Sequence, residues 1–214
     1  MKRSPRADAG SPKNKPDDHE GGLAHMRRNI DAWWPLVSSG GVEAIVMNAS
    51  GCGVTVKEYG HALQHDPAYA DKANRVADLT RDVSELLPDI VPALAGKLSS
   101  RTKKPRLAFH PPCSLQHGQK LKGGVETHLR ALGFEVELAL NEAHLCCGSA
   151  GTYSVLQPEL AYPLRDRKLG HLEQLQPSVI ASANIGCITH LQSGSRETPV
   201  RHWVELLDAA LAAA

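Results

Sequence analysis

The chain has 214 residues, a length that suits one large domain or two small ones and allows a core without disulfide staples. Its 24 Lys and Arg against 23 Asp and Glu leave a net charge of +1, so no strong field draws it to phosphate backbones or anionic lipid, and nucleic acid is not an expected partner. No apolar stretch nears the roughly 18 residues of a membrane span, and five cysteines are too sparse for a secreted disulfide scaffold, so a cytoplasmic chain with reduced thiols is expected.

Residues 1–22 are rich in Pro, Gly and charge with little to bury, and read as a disordered tail. From Leu23 a helix-like stretch passes through Trp33 and Trp34 to the apolar run Val42–Met47, of buried-strand type, which Gly51-Cys52-Gly53 breaks. Residues 54–64 look helical. Val76, Leu79, Val83, Leu86 and Leu87 have amphipathic-helix spacing over 70–87, with Pro88 as the stop. This span, 23–96, reads as a first, partial lobe, and the basic, polar residues 97–105 as a linker.

Residues 106–214 alternate strand and helix. Strands are expected at 106–110, 134–140 and 178–183, and helices near 118–132, 156–174, from Cys187, and at 199–212. The expected class is α/β, with right-handed crossovers and parallel sheets covered by helices. Ile45 and Ile180 each stand seven residues before a cysteine, Cys52 and Cys187, a weak internal repeat that points to two related lobes with the first truncated.

Cys113 follows the first strand of the second lobe, Cys146 and Cys147 the second, and Cys187 the third. In an open parallel sheet the loops after the strands share one edge, so thiols up to 74 residues apart in sequence can converge there. Thiolates are soft ligands for iron-sulfur clusters or zinc. An adjacent pair suits a single tetrahedral ion poorly, because two neighbouring side chains seldom span its edge without strain, and this favours a multi-iron cluster. A thiol-redox pair at Cys146 and Cys147, and core filling by Cys52, are the competing readings.

Gly148 and Gly151 follow the pair and Gly186 precedes Cys187; small residues there let backbone N–H groups approach a cluster. His190, third after Cys187, is placed to ligate or to support a ligand. His110 and His144 precede the ligand loops and suit either hydrogen bonds to sulfur or a structural role. There is no glycine-rich nucleotide fingerprint and no Ser-His-Asp arrangement.

Together, Pro112-Cys113-Ser114, Cys146-Cys147-Gly148-Ser149-Ala150-Gly151 and Gly186-Cys187-Ile188-Thr189-His190 resemble the cysteine-rich CCG domain of heterodisulfide reductase and related iron-sulfur subunits. The likeness is strongest to the glycolate oxidase iron-sulfur subunits, through Asn29-Ile30-Asp31-Ala32-Trp33-Trp34-Pro35, Ala49-Ser50-Gly51-Cys52-Gly53 and Pro199-Val200-Arg201-His202-Trp203. It implies a subunit carrying an iron-sulfur cluster, of 4Fe-4S type, that takes electrons from a flavin (FAD) subunit oxidising glycolate to glyoxylate and relays them toward a quinone-type acceptor. It implies Cys113, Cys146, Cys147 and Cys187 as ligands of a second repeat, Cys52 as the surviving ligand position of a first, and a site on the inner face of the membrane reached through the complex.

The sequence departs from the family pattern in three places. His190 replaces the final Cys of Cys-x-x-Cys, the first repeat lacks its Cys and Cys-Cys-Gly, and the N-terminal ferredoxin-like module is missing, so the resemblance implies a fragment of a longer subunit. A non-catalytic assembly module of the same complex, and the iron-sulfur subunit of a lactate or other 2-hydroxy-acid system, are the alternatives.

Overall fold

A computed structural model describes residues 18–98 and 104–213. Two compact units are present, one of residues 51–82 with the chain up to Met47, the other of 48–50 and 83 onward. The tail expected at 1–22 lies outside the described residues up to 17, while His19 to Gly22 are helical.

In the first unit, α1 (His19–Ser38) starts at Asp18, whose carboxylate accepts the Gly21 N–H at 2.8 Å. Ile30, Trp33 and Val37, three to four residues apart, bury one stripe of α1 with Val56, Tyr59 and Leu63 of the segment spanning α2 (Ser50–Lys57) and α3 (Tyr59–Ala62). Ala73, Val76 and Leu79 of α4 (Ala70–Leu79) complete this core. The expected strand Val42–Met47 shortens to β1 (Ile45–Met47), and the expected 70–87 helix stops at Leu79, because Thr80–Asp82 form β2, paired in parallel with β1. Thr80, β-branched and fully buried, fits a pleated position better than a helix interior.

The second unit begins earlier than the linker at 97–105 predicts. Pro88 does not end a helix but lies in the first turn of α5 (Leu87–Ala95), where its missing N–H costs nothing. Leu87, Val91 and Leu94 of α5 pack into the second core, which ties this helix to the sheet of the second unit; residues 99–103 of the linker lie outside the described residues.

That sheet is fully parallel, of order β4-β3-β5-β6, and is made of β3 (Arg106–His110), β4 (Glu135–Leu138), β5 (Val179–Ser182) and β6 (Val200–His202). Alternate strand residues face opposite sides. Leu107, Phe109, Val179 and Ala181 meet α5, α6 (Gly124–Ala131) and α10 (Trp203–Ala212) through Leu87, Leu129 and Trp203. Ala108, Ile180 and Val200 meet α8 (Pro158–Glu173) and α9 (Ile185–Gly194) through Leu169, Leu172 and Leu191. The α/β class with helix-covered parallel sheets is as expected. Unforeseen is β6: the last helix yields Val200–His202 to the sheet, where they pair with Ile180–Ser182.

The repeat has a structural counterpart. Cys52 is the third residue of α2, which follows β1, and Cys187 is the third residue of α9, which follows β5.

Candidate metal centre

The thiols of the second unit follow β3, β4 and β5 at the carboxyl edge of the sheet, the first three from loops and Cys187 from the first turn of α9. After β3, Pro111 and Pro112 supply no N–H to the ladder, so the strand ends at His110 and Cys113 enters a π-helical turn, Ser114–Gly118. Ser114 Oγ is hydrogen-bonded to Ser50 Oγ at 2.7 Å, and the Ser50 N–H donates to Ala183 O at 3.0 Å, which joins the Cys113 turn to the end of β5. After β5, Asn184 precedes α9 and donates from Nδ2 to Cys187 Sγ at 3.8 Å.

The loop between β4 and α7 (Tyr153–Leu156) carries Cys146 and Cys147. The Gly148 N–H donates to Cys146 Sγ at 3.3 Å. Gly148 has φ +89°, and a Cβ there would stand 2.4 Å from Ala161 O of α8, so both conformation and space demand glycine. A Cβ on Gly186 would stand 2.8 Å from Ser149 Oγ, so that position lets α9 approach the cysteine loop.

The four sulfurs form one continuous run. All four are free thiols, and each acts on the protonation of the next: Cys113 and Cys147 on Cys146, and Cys147 on Cys187. Neighbouring thiols cannot all ionise together, so where one is held as thiolate the next is held protonated. The Cys146 thiol is accordingly pulled far down by Cys113 and Cys147, and Cys187 is lowered to about 5, first by Cys147 and then, against burial, by His110. Cys113 is pushed up chiefly by Cys146, and Cys147 by Cys146 and Cys187.

His110 ends β3 as a buried residue. Neither of its ring nitrogens has a nitrogen or oxygen partner, while one of them lies with the Cys147 and Cys187 sulfurs in a group whose atoms are all within 4.8 Å of one another. A buried imidazole without a conventional partner, aimed at two thiols, is what a group bound among those sulfurs would satisfy. The expected sulfur-facing role of His110 thus has a geometric basis, whereas His144 is exposed.

His190 is buried on α9, with Nε2 3.3 Å from Ala161 O and its ring 5.9 Å from that of Tyr162. The structure therefore places it against α8, outside the His110, Cys147 and Cys187 group. Gly151, at φ +62°, sits in the turn before α7 with open space around it. Cys52 is half-buried in the first unit, and burial pushes its thiol up.

Sequence reasoning missed Lys168. It is 1% exposed, and its Nζ donates to Glu142 O at 2.6 Å, the carbonyl that also accepts the Leu145 N–H at 2.9 Å. Burial pushes this amine down, while negative charge on Cys113, Cys147, Glu142 or Cys146 acts against that. Glu142, at φ +52°, is gripped through its carboxylate by Arg167 and by His171 Nε2 at 3.0 Å. The available signal was helical spacing: Lys168 shares a stripe of α8 with the buried Ala161 and Leu172, where a charge is out of place.

A family model for the cysteine-rich domain (CCG) matches residues 107–192, the span that holds the four sulfurs. The chain is 53% identical over 192 residues to the glycolate oxidase iron-sulfur subunit of Escherichia coli (strain K12), a match covering 90% of this chain and 46% of that protein. It is 30% identical over 177 residues to lactate utilization protein A of Geobacillus kaustophilus (strain HTA426), across 77% of this chain and 70% of that one. The chain carries a cysteine-rich (CCG) domain and belongs to the same family as lactate utilization protein A.

Another similar protein is the probable glycolate oxidase iron-sulfur subunit of Bacillus subtilis (strain 168), 25% identical over 169 residues, of which the chain covers 36%. The chain thus spans about half the length, or less, of the glycolate oxidase subunits it matches. The cysteine-rich domain corresponds to the second unit from β3 to α9 and carries the Cys146-Cys147-Gly148 triplet near its middle.

Proposed function

We propose that this chain is the cluster-binding, electron-carrying part of an iron-sulfur subunit in a glycolate-oxidising complex. The observation that carries the reading is the convergence of Cys113, Cys146, Cys147 and Cys187 after successive strands at one sheet edge, where the buried His110 ring groups with the Cys147 and Cys187 sulfurs. The four cysteines would hold an iron-sulfur cluster, of 4Fe-4S type. A cluster of that kind accepts and releases single electrons.

The chain's own groups suit such an occupant. The Gly148 and Asn184 N–H groups donate to the sulfurs of Cys146 and Cys187, which eases electron uptake by offsetting negative charge. Gly148 holds backbone close to the Cys146 sulfur, Gly186 lets α9 approach the cysteine loop, and Gly151 lets the turn into α7 leave it. His190 keeps α9 registered on α8 through Ala161.

Oxidation of glycolate to glyoxylate releases two electrons and two protons, and a flavin (FAD) on a partner subunit would take both electrons. This chain would pass them on singly toward a quinone-type acceptor, and so would not itself be the site of substrate chemistry. Among the described residues no helix is long and apolar enough to cross a membrane. Contact with a membrane acceptor would then be peripheral, from the cytoplasmic side and through the complex.

The test is anaerobic purification of the full chain with iron and acid-labile sulfide analysis. Bound iron and sulfide with a cluster-type electron paramagnetic resonance signal on reduction are expected; zinc, or no metal after reconstitution, overturns the reading. A flavin-subunit pull-down with a Cys146→Ser, Cys147→Ser variant separates electron transfer from assembly alone, because only an assembly role survives complete in that variant.

The similarity to lactate utilization protein A, of which the chain covers 70%, favours a second reading with lactate as the 2-hydroxy acid. Electron delivery from the flavin subunit with glycolate and with lactate decides between them.

A further inference from the structure

We propose that Lys168 is a positioning residue of the thiol site, anchoring the loop that presents Cys146 and Cys147 and bringing a buried ammonium to that loop. The inference rests on the cluster-binding function proposed above and deepens it.

The loop between β4 and α7 has no strand or helix of its own to hold it, and α8 does so from one side. Three residues of that helix, Arg167, Lys168 and His171, converge on Glu142. Arg167 and His171 take its carboxylate near the surface. Lys168 takes its carbonyl, at 2.6 Å, and reaches the Ala143 carbonyl at 3.4 Å. The Glu142 carbonyl also closes the turn to Leu145, so the Lys168 bond fixes the residue just before Cys146. Glu142 adopts φ +52°, a conformation unfavourable for a side chain other than glycine, and these bonds on both its ends retain it.

The charge is placed differently from an ordinary ion pair. Lys168 is 1% exposed, and burying an ammonium is costly unless negative charge compensates it. The nearby Glu142 carboxylate is committed to Arg167 and His171, and the bonds of Lys168 itself go to neutral carbonyls. The other groups that act on its amine are the thiols Cys113, Cys147 and Cys146, which carry negative charge only when ionised. Thiolates ligating a cluster stay anionic and would supply the compensation permanently. In return a fixed positive charge favours the reduced, more negative state of whatever those thiolates hold.

The test compares full-length wild type with K168M, K168R and R167M. In the metal-free chains, alkylation of Cys146 by iodoacetamide, followed by mass spectrometry, reads the loop without any cluster. K168M is expected to react several-fold faster than wild type and K168R close to wild type. In the reconstituted chains a redox titration reads the charge: K168M shifts the midpoint to more negative potential, K168R restores it, and R167M, which loosens the same residue from the surface, leaves it in place. An unchanged alkylation rate in K168M, or an unchanged midpoint in loaded K168M, overturns the proposal, as does a shift in R167M equal to that in K168M. If K168M folds by circular dichroism but takes up no iron while wild type does, the anchoring role is supported. Should K168M not fold, K168Q, which keeps a donor without the charge, carries the same comparison. A wild type that binds no iron refutes the cluster reading and leaves the alkylation result to judge the anchor alone.

Discussion

His110 and Cys187 face one another at the edge of the sheet, the imidazole from the last residue of β3 and the thiol from the first turn of α9. The pairing is produced by adjacent parallel strands: His110 is in register with Ser182, whose Oγ donates to the His110 carbonyl at 2.9 Å, and α9 starts three residues later. The backbone of His110 is therefore fixed by β5 while its ring is left to the sulfurs. A His110→Ala chain is expected to fold and to retain less iron and sulfide than wild type, because the sulfur edge loses its buried donor. Metal analysis beside far-ultraviolet circular dichroism checks this, and full iron content in the alanine variant would remove His110 from the site.

The thiols of the second unit act as a set. Cys113→Ser, Cys146→Ser and Cys187→Ser should each lose most of the bound iron, since hard hydroxyls replace soft thiolates. Cys52→Ser should keep it, because Cys52 has no second thiol in its own unit. Iron-to-protein ratios after anaerobic reconstitution measure the contrast; loss of iron in the Cys52 variant would show that the first unit contributes a ligand.

Gly148→Ala combines a positive φ of +89° with a Cβ 2.4 Å from the Ala161 carbonyl. Left-handed strain and the forced shift of α8 together should cost on the order of 3 kcal/mol of stability. Urea unfolding of the metal-free chain followed by tryptophan fluorescence gives the value. A cost under about 1 kcal/mol would mean that the turn adjusts freely.

In the first unit Arg27 Nε donates to Asp66 at 2.8 Å and holds that carboxyl below the ordinary range. A depressed carboxyl stabilises the fold above its unfolded value, about 4, and loses that contribution as pH falls through its folded value. Asp66→Asn should therefore be less stable than wild type near pH 6, and the gap should close below about pH 4. Urea midpoints at the two pH values test it; a gap that stays constant assigns the loss to packing instead. The pair is partly solvated, so the effect should shrink in high salt.

The α/β class and the placement of Cys113, Cys146, Cys147 and Cys187 after successive strands were legible in the residues alone, because period-2 and period-3.6 apolar patterns report local burial. Strands β2 and β6 were not. Thr80–Asp82 and Val200–His202 are short runs continuous with helix-forming neighbours, and each becomes a strand through a partner far away in sequence. The boundary near Val83 was hidden for the same reason, since α5 joins the second unit through Leu87, Val91 and Leu94 and not through any local break.

What the amino-acid order determined by itself is which atoms are available for chemistry, four soft sulfurs and small residues beside them, and the strand ends from which they emerge. Tertiary structure decided the neighbours: His110 turned to Cys187, His190 turned away to Ala161, and Lys168 drawn beneath the cysteine loop. The physical reason is range. Backbone preference and amphipathic spacing act over a few residues, whereas a hydrogen bond such as that from Lys168 to Glu142 joins positions 26 apart, and only the packing of α8 on the sheet brings them within reach.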